Sequence, residues 1–316
     1  MKLLEQIFSI KNNETKTRKI ITIMGVKIKF KTHRSLNLKN IETNDFGISK
    51  NSFDVVILGN GPSLKDTFLD SDDYKFIKDK DIFVVNSFVQ SEYFFELKPK
   101  FLCLMDPIYW GTTPSNNIKA LIEADYEKLK NVSWNLFVFM PNAALDNNVF
   151  KDLLKINSYI KFIYINTNTV ETQDMDLLYS LYKQNKAMPT VQNVLVSCLY
   201  CAINIGYKNI FVYGADHSWH LSLIVNENNI PCIIDKHFYD KSETIQYTPI
   251  YKDVSQTTPF KISELFQAYS IAHNQYNILE DYSNYMGTKI YNLSKFSCID
   301  AFERKYDKKE RINNAK

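Results

Sequence analysis

Long apolar runs are missing from this 316-residue chain. No stretch reaches the ~18 apolar residues that a spanning helix needs, and no signal-peptide core is visible. The expectation is therefore a cytoplasmic protein, with peripheral contact at the inner membrane left open. Internal repeats and low-complexity segments are also missing, which sets aside solenoid and tail-like architectures. Excess charge of one sign is small: the formal net charge is +3, too little to argue for nucleic acid. Cysteine is scarce and odd in number: Cys103, Cys198, Cys201, Cys232 and Cys298. Most sit in apolar runs, so reduced buried thiols are expected rather than a disulfide framework. Cys198-Leu-Tyr-Cys201 has the spacing of a redox or zinc pair, but no second pair follows, and core packing is the expected reading.

The remaining composition is that of an ordinary globular protein, 45% hydrophobic and 23% charged. Its length allows one large domain or two modest ones. Residues 1–50 carry 11 Lys/Arg against 4 Asp/Glu, about +7, a basic extension suited to an anionic membrane surface or simply to solvent. Within it, Ile20 to Phe30 reads as two short strands around Gly25.

From Asp54 onward, strand-like and helix-like patterns alternate. Strands are expected at Asp54–Leu58, Ile82–Asn86, Phe101–Met105, Asn135–Met140, Tyr159–Ile165, Asn209–Tyr213 and Lys289–Tyr291. Helices are expected over Ile118–Lys130, Asn147–Ile156, Val191–Ile205 and Ile262–Tyr285. Such alternation predicts an α/β fold with a doubly wound, mostly parallel, Rossmann-like sheet. The expected division is a basic N-terminal extension (1–50), a nucleotide-binding domain (51–304) and a charged tail (305–316).

The β-branched run Asp54-Val-Val-Ile-Leu58 ends abruptly in Gly59-Asn-Gly-Pro-Ser63. This is the pattern of a buried strand opening into a tight turn and a helix. Glycines there allow close backbone approach to a ligand, and free amides at a helix start favour a phosphate. Polar residues follow other strands too: Asn86 after the second, Asp106 after the third and Asp216 after Phe211–Tyr213. In a parallel sheet these ends share one edge. Gly59, Asn60, Gly61, Ser63, Asn86 and Asp106 are accordingly candidate nucleotide contacts. Thr190, Gln192 and Asn193, just before an apolar helix, join them, with Thr190 expected as the N-cap.

Residues 214–260 break the alternation and hold three of the five histidines. A long irregular insertion rich in aromatics suggests a lid over the site. Asp216, His217, His220, His237 and Tyr239 are its acid/base and phosphate-contact candidates. A divalent-metal role for the histidines with Asp235 and Asp240 stays open, although no complete ligand set can be named.

Leu58-Gly-Asn-Gly-Pro-Ser-Leu64, Val84-Val-Asn86, Pro189-Thr-Val-Gln-Asn193 and Tyr213-Gly-Ala-Asp216 together resemble the bacterial lipooligosaccharide sialyltransferases. They equally resemble the 6-hydroxymethylpterin pyrophosphokinase (MptE-like) group. Ile290-Tyr-Asn-Leu-Ser294 with Ser297-Cys-Ile-Asp300 resembles that group's final strand and turn, and the similarity spans about residues 54–304. The first 35 residues look like the leader of bacterial surface-polysaccharide glycosyltransferases. The sialyltransferase resemblance implies a CMP-sugar donor held through Asn60, Asn86 and Thr190. This chain departs from that family at Asp106, where the family has Asn, and at His217–His220, where it has no matching tyrosine pair. The family's catalytic histidine also lacks a counterpart near Thr257–Ile262.

The expected function is thus transfer of a sugar from a nucleotide-activated, CMP-linked donor to a bacterial surface glycan, lipooligosaccharide or capsule. The expected partners are the donor and a glycan or lipid-linked acceptor, with no nucleic acid, no required cofactor and oligomerisation open. The base would be His237 or Asp216, with His217, His220 or Tyr239 at the leaving phosphate. Two alternatives are a Mg-dependent pyrophosphokinase using Asp106, Asp216 and Asp235, and a non-catalytic surface-assembly protein.

Overall fold

A computed structural model describes residues 42–110, 116–146, 152–153, 155–234, 238, 247–252 and 257–304, and the backbone of three N-terminal strands. Those strands, β1 (Phe8–Asn12), β2 (Arg18–Ile23) and β3 (Val26–Lys31), form an antiparallel sheet. The expected two strands around Gly25 are present as β2 and β3, and β1 adds an edge the sequence reading did not name.

The main sheet has seven strands. They are β4 (Asp54–Leu58), β5 (Asp81–Val85), β6 (Phe101–Cys103), β7 (Leu136–Pro141), β8 (Ile160–Ile165), β9 (Asn209–Tyr213) and β13 (Lys289–Asn292). Their order is β13-β9-β4-β5-β6-β7-β8, and every neighbouring pair is parallel. The chain therefore builds outward from β4 to β8, then returns to lay β9 on the other side of β4. The space between β4 and β9 is the topological switch point, where open α/β sheets bind ligands beyond the carboxyl ends of their strands.

Alternation along each central strand splits the core into two layers. Val55, Ile57, Phe83, Val85, Ile210 and Val212 face one side, while Val56, Leu58, Ile82, Val84, Phe211 and Tyr213 face the other. Burial on both faces explains why these strands read as continuous apolar runs. The second layer is covered by α1 (Leu64–Leu69), α2 (Ser71–Lys78), α3 (Tyr93–Leu97) and α4 (Asn116–Lys130). The first is covered by α5 (Met175–Lys183), α6 (Val194–Ile205) and α7 (Ile262–Met286). Every α6 residue from Leu195 to Ile205 is buried, because the helix lies between the sheet and α7. Cys198 and Cys201 belong to this core, and all five cysteines are free.

The sequence pattern missed α5, and it began α6 three residues early. The helix expected over Asn147–Ile156 falls largely outside the described residues. The 214–260 insertion contains a small antiparallel sheet of β10 (Ile224–Val225), β11 (Pro231–Ile233) and β12 (Thr248–Pro249). Strands of two or three residues are too short to show a period of two, so this stretch reads as irregular from sequence. Among the described residues, no helix is long and apolar enough to cross a membrane.

Candidate functional site

The turn after β4 and the turn after β9 lie against each other. The Gly59 amide donates to the Tyr213 carbonyl and the Gly61 amide to the Gly214 carbonyl, both at 2.8 Å. A Cβ on Gly59 would collide with the Gly214 carbonyl oxygen, and one on Gly61 would meet that same oxygen at 2.6 Å and the Asp216 carboxylate. The glycines thus allow the two loops to pack against each other, and both also line the cavity described below. Ser63 donates to Asp216 through its amide (3.0 Å) and its hydroxyl (2.6 Å). The start of α1 therefore has a carboxylate partner from within the protein. Asp216 is 6% exposed, and burial, opposed by the Ser63 bonds, pushes its carboxyl above the usual range.

A second clamp holds the β9 turn from the far side. The Ala215 amide donates to Ser294 Oγ (2.9 Å), Ser297 Oγ donates to the Ala215 carbonyl (2.6 Å), and the Cys298 amide donates to the Asp216 carbonyl (2.8 Å). The Ser294–Cys298 turn after β13 thus fixes both backbone edges of the loop that carries Asp216.

Between these turns opens a cavity of about 400 Å³, within the size range of small-ligand sites. Asn60 and Asn86 stand on its sheet side. The Asn60 amide nitrogen donates to the Val85 carbonyl (3.2 Å), bridging two strand ends. The side-chain carbonyl oxygens of both Asn60 and Asn86 are buried without a hydrogen-bond partner among the described residues. Asn86 has φ +43°, a left-handed conformation that asparagine tolerates better than most residues. Its turn is held from behind by Asp125 on α4, which accepts from Ser87 Oγ (3.0 Å), Tyr109 OH (3.0 Å) and Gln90 Nε2 (2.5 Å).

The opposite wall is the start of α6. Asn193, not Thr190, is the N-cap: its Oδ1 accepts from the Leu195 amide at 2.8 Å. Val194 and Leu195 line the cavity, bringing the positive end of the helix dipole to it. Among the described residues the lining contains no lysine or arginine, and Asp216 is its one carboxylate.

His217 also lines the cavity at φ +50° and is 5% exposed. Its ring lies 4.4 Å from that of Trp219, and Tyr276 OH is 3.1 Å from its Nε2. Burial, helped by the neighbouring His273, pushes its pKa down to about 3. The imidazole is therefore neutral near pH 7: it can share a hydrogen bond but carries no positive charge to a phosphate.

Several candidates fall elsewhere. Asp106 caps the short turn Pro107–Tyr109 by accepting from the Ile108 amide (3.1 Å) and does not line the cavity. Thr190 is exposed, donates its amide to Gln275 Oε1 (2.9 Å), and lines a separate cavity with Met175 and Met188. Gln192 lines a neighbouring groove, and His220 sits exposed on the turn Trp219–Ser222. His237 and Tyr239 lie outside the described residues, as do Asp235 and Asp240. Phe238 between them donates its amide to the Asn60 carbonyl (3.2 Å) and packs its ring against Phe68 and Phe88. Sequence reasoning missed Trp219, Tyr276 and Phe296 as site residues and gave Ser294 and Ser297 no role beyond their place in the final-turn motif. The aromatics look like core residues in the pattern, and only the turn Ser294–Ser297 carried a signal.

The chain is similar to a solved glycosyltransferase structure. This is the MAf glycosyltransferase from Magnetospirillum magneticum AMB-1, with 12% sequence identity and a TM-score of 0.47. The match covers 88% of the present chain but 40% of that one, so this chain spans less than half its length. No family model and no curated protein matches the sequence. Among the described residues no group of three or more His, Cys, Asp or Glu side chains could hold a metal ion.

Proposed function

We propose that the protein is a glycosyltransferase taking its sugar from a nucleotide-activated donor, CMP-linked, and delivering it to a hydroxyl of a bacterial surface glycan. The observation that carries this reading is the pair of carbonyl oxygens without a partner among the described residues, Asn60 Oδ1 and Asn86 Oδ1, at the switch point of a parallel sheet. Buried acceptors left without donors are costly, and a nucleotide offers what they lack: ribose hydroxyls and an exocyclic amino group. A phosphate set against the start of α6 meets the positive end of the helix dipole in place of cations. The sialyltransferase-like motifs agree with a CMP-linked donor, and the reaction needs no cofactor.

Transfer would proceed by displacement at the anomeric carbon. The acceptor oxygen forms the new bond, the bond to the phosphate oxygen breaks, and the nucleotide departs with the electron pair. Asp216 takes the acceptor proton, a role its raised pKa favours. His217 contributes a neutral hydrogen bond, and the start of α6 supports the developing phosphate charge. The pyrophosphokinase alternative would draw on Asp106, Asp216 and Asp235; Asp106 is engaged as a cap away from the cavity, and Asp235 lies outside the described residues.

The test is a thermal-shift panel of CMP, CDP, UDP, GDP and ATP, with and without Mg²⁺. Stabilisation by CMP without metal, reduced at least tenfold in apparent affinity by Asn60→Ala and by Asn86→Gly, is the expected result. Glycine keeps the positive φ at position 86 while removing the amide. A response confined to ATP with Mg²⁺ would overturn the proposal.

A further inference from the structure

Beside the nucleotide cavity, across a wall made by Asn193 and Trp219, runs an open groove of about 290 Å³. One side is a single face of α7: Leu265, Ala268, Tyr269 and Ala272 recur at helical spacing. Ala268 and Ala272 are the small residues of this face and leave a trough beside the larger Leu265 and Tyr269 side chains. Ile233 after the start of β11 and Ile250 just after β12 close the far side. The Trp219 ring stacks on Tyr269 with centroids 5.8 Å apart and planes 22° apart. Its polar groups are the side-chain amides of Gln192 and Asn193, the Trp219 indole N–H and the Tyr269 hydroxyl, and Asn193 and Trp219 are shared with the nucleotide cavity. The groove therefore combines an apolar lining from Ile233, Ile250, Leu265, Ala268 and Ala272 with polar groups, two of them on the wall it shares with the nucleotide cavity.

We propose that this groove is the acceptor subsite, and that the acceptor carries an apolar aglycone next to the sugar whose hydroxyl is glycosylated. The sugar meets the amides of Gln192 and Asn193, and the hydrocarbon lies along Trp219, Leu265, Ala268 and Ile250. This rests on the transferase reading for its role, while the groove's preference for apolar aglycones is measurable apart from it. The cavity on the other side of that shared wall holds Asp216 and His217.

The experiment compares binding of methyl and hexyl β-glucosides and β-galactosides, below micellar concentrations, by calorimetry on the full chain. Hexyl glycosides should bind at least about tenfold tighter than their methyl counterparts, roughly what two buried methylenes supply. Ala268→Phe, which fills the trough, should erase that preference while leaving the CMP thermal shift intact. If that variant fails to fold, Ala268→Val gives the same reading with a smaller change. Hexyl glycoside and CMP should bind together. Equal affinity for the two chain lengths, a preference unmoved by the filling variant, or competition with CMP would each overturn the assignment. Absence of a CMP shift with the hexyl preference retained would instead fault the transferase reading alone.

Discussion

Replacing Gly61 by alanine separates two explanations of the Gly59-Asn-Gly-Pro-Ser63 turn. If the glycine exists to let a ligand approach, Gly61→Ala should fold normally and bind poorly. The geometry says otherwise. The new methyl would meet the Gly214 carbonyl oxygen at 2.6 Å and Asp216 Cγ at 2.7 Å. Neither can yield easily, since the Gly61 amide is bonded to that carbonyl and Asp216 is held twice by Ser63. Gly61 is not among the residues with positive φ, so the cost is steric. Overpacking costs about 1–3 kcal/mol, and prising the turns apart weakens bonds worth roughly 1 kcal/mol each, more where a carboxylate is involved. The expected loss is about 3 kcal/mol, read as a lower urea midpoint with unchanged slope and no ligand present. A variant within about 0.5 kcal/mol of wild type, the range of neutral surface changes, would refute the loop-packing argument.

Asp125→Ala should cost about 2–4 kcal/mol, because three donors lose their buried acceptor. It should also weaken nucleotide binding, since the Asn86–Gln90 turn loses its anchor, and thermal melts with and without CMP read both effects. Ser294→Ala should destabilise by about 1–3 kcal/mol by leaving the buried Ala215 amide unpaired, measurable by urea unfolding. His217 gives a pH signature. Its folded pKa of about 3 lies below the ordinary value, so the unfolded chain binds the proton first as pH falls. Stability from this residue is then full above about pH 6.5 and lost progressively toward 3, roughly 2 kcal/mol by pH 5. His217→Asn, which tolerates the positive φ, should flatten that part of the stability profile; an unchanged acid slope would show that the ring protonates in the folded state.

How much of this was legible in the chain differs from residue to residue. The apolar run Asp54–Leu58 is bounded identically in sequence and structure, because a strand buried on both faces leaves a continuous signal. Asn60 and Asn86 were visible as polar residues at strand ends, and the sheet brings both to one cavity. Asp106 looked equivalent by the same reasoning but spends its carboxylate on the next turn. Thr190 looked like a cap because threonine is a good one, yet the helix starts later and Asn193 takes that role.

The sequence by itself determined the alternation of strands and helices, the parallel sheet this implies, and the location of a polar edge after Leu58, Val85 and Tyr213. These follow from periodicity and turn chemistry, which act over a few residues. Only the tertiary structure decided that the turn glycines pack loop against loop, that Ser63 and Asp216 satisfy each other, and that His217 is held uncharged. Ser63 and Asp216 are 153 positions apart and His217 and Tyr276 are 59 apart. Contacts over such distances arise when the chain returns to lay β9 beside β4, and burial there sets the protonation and pairing that no local pattern encodes.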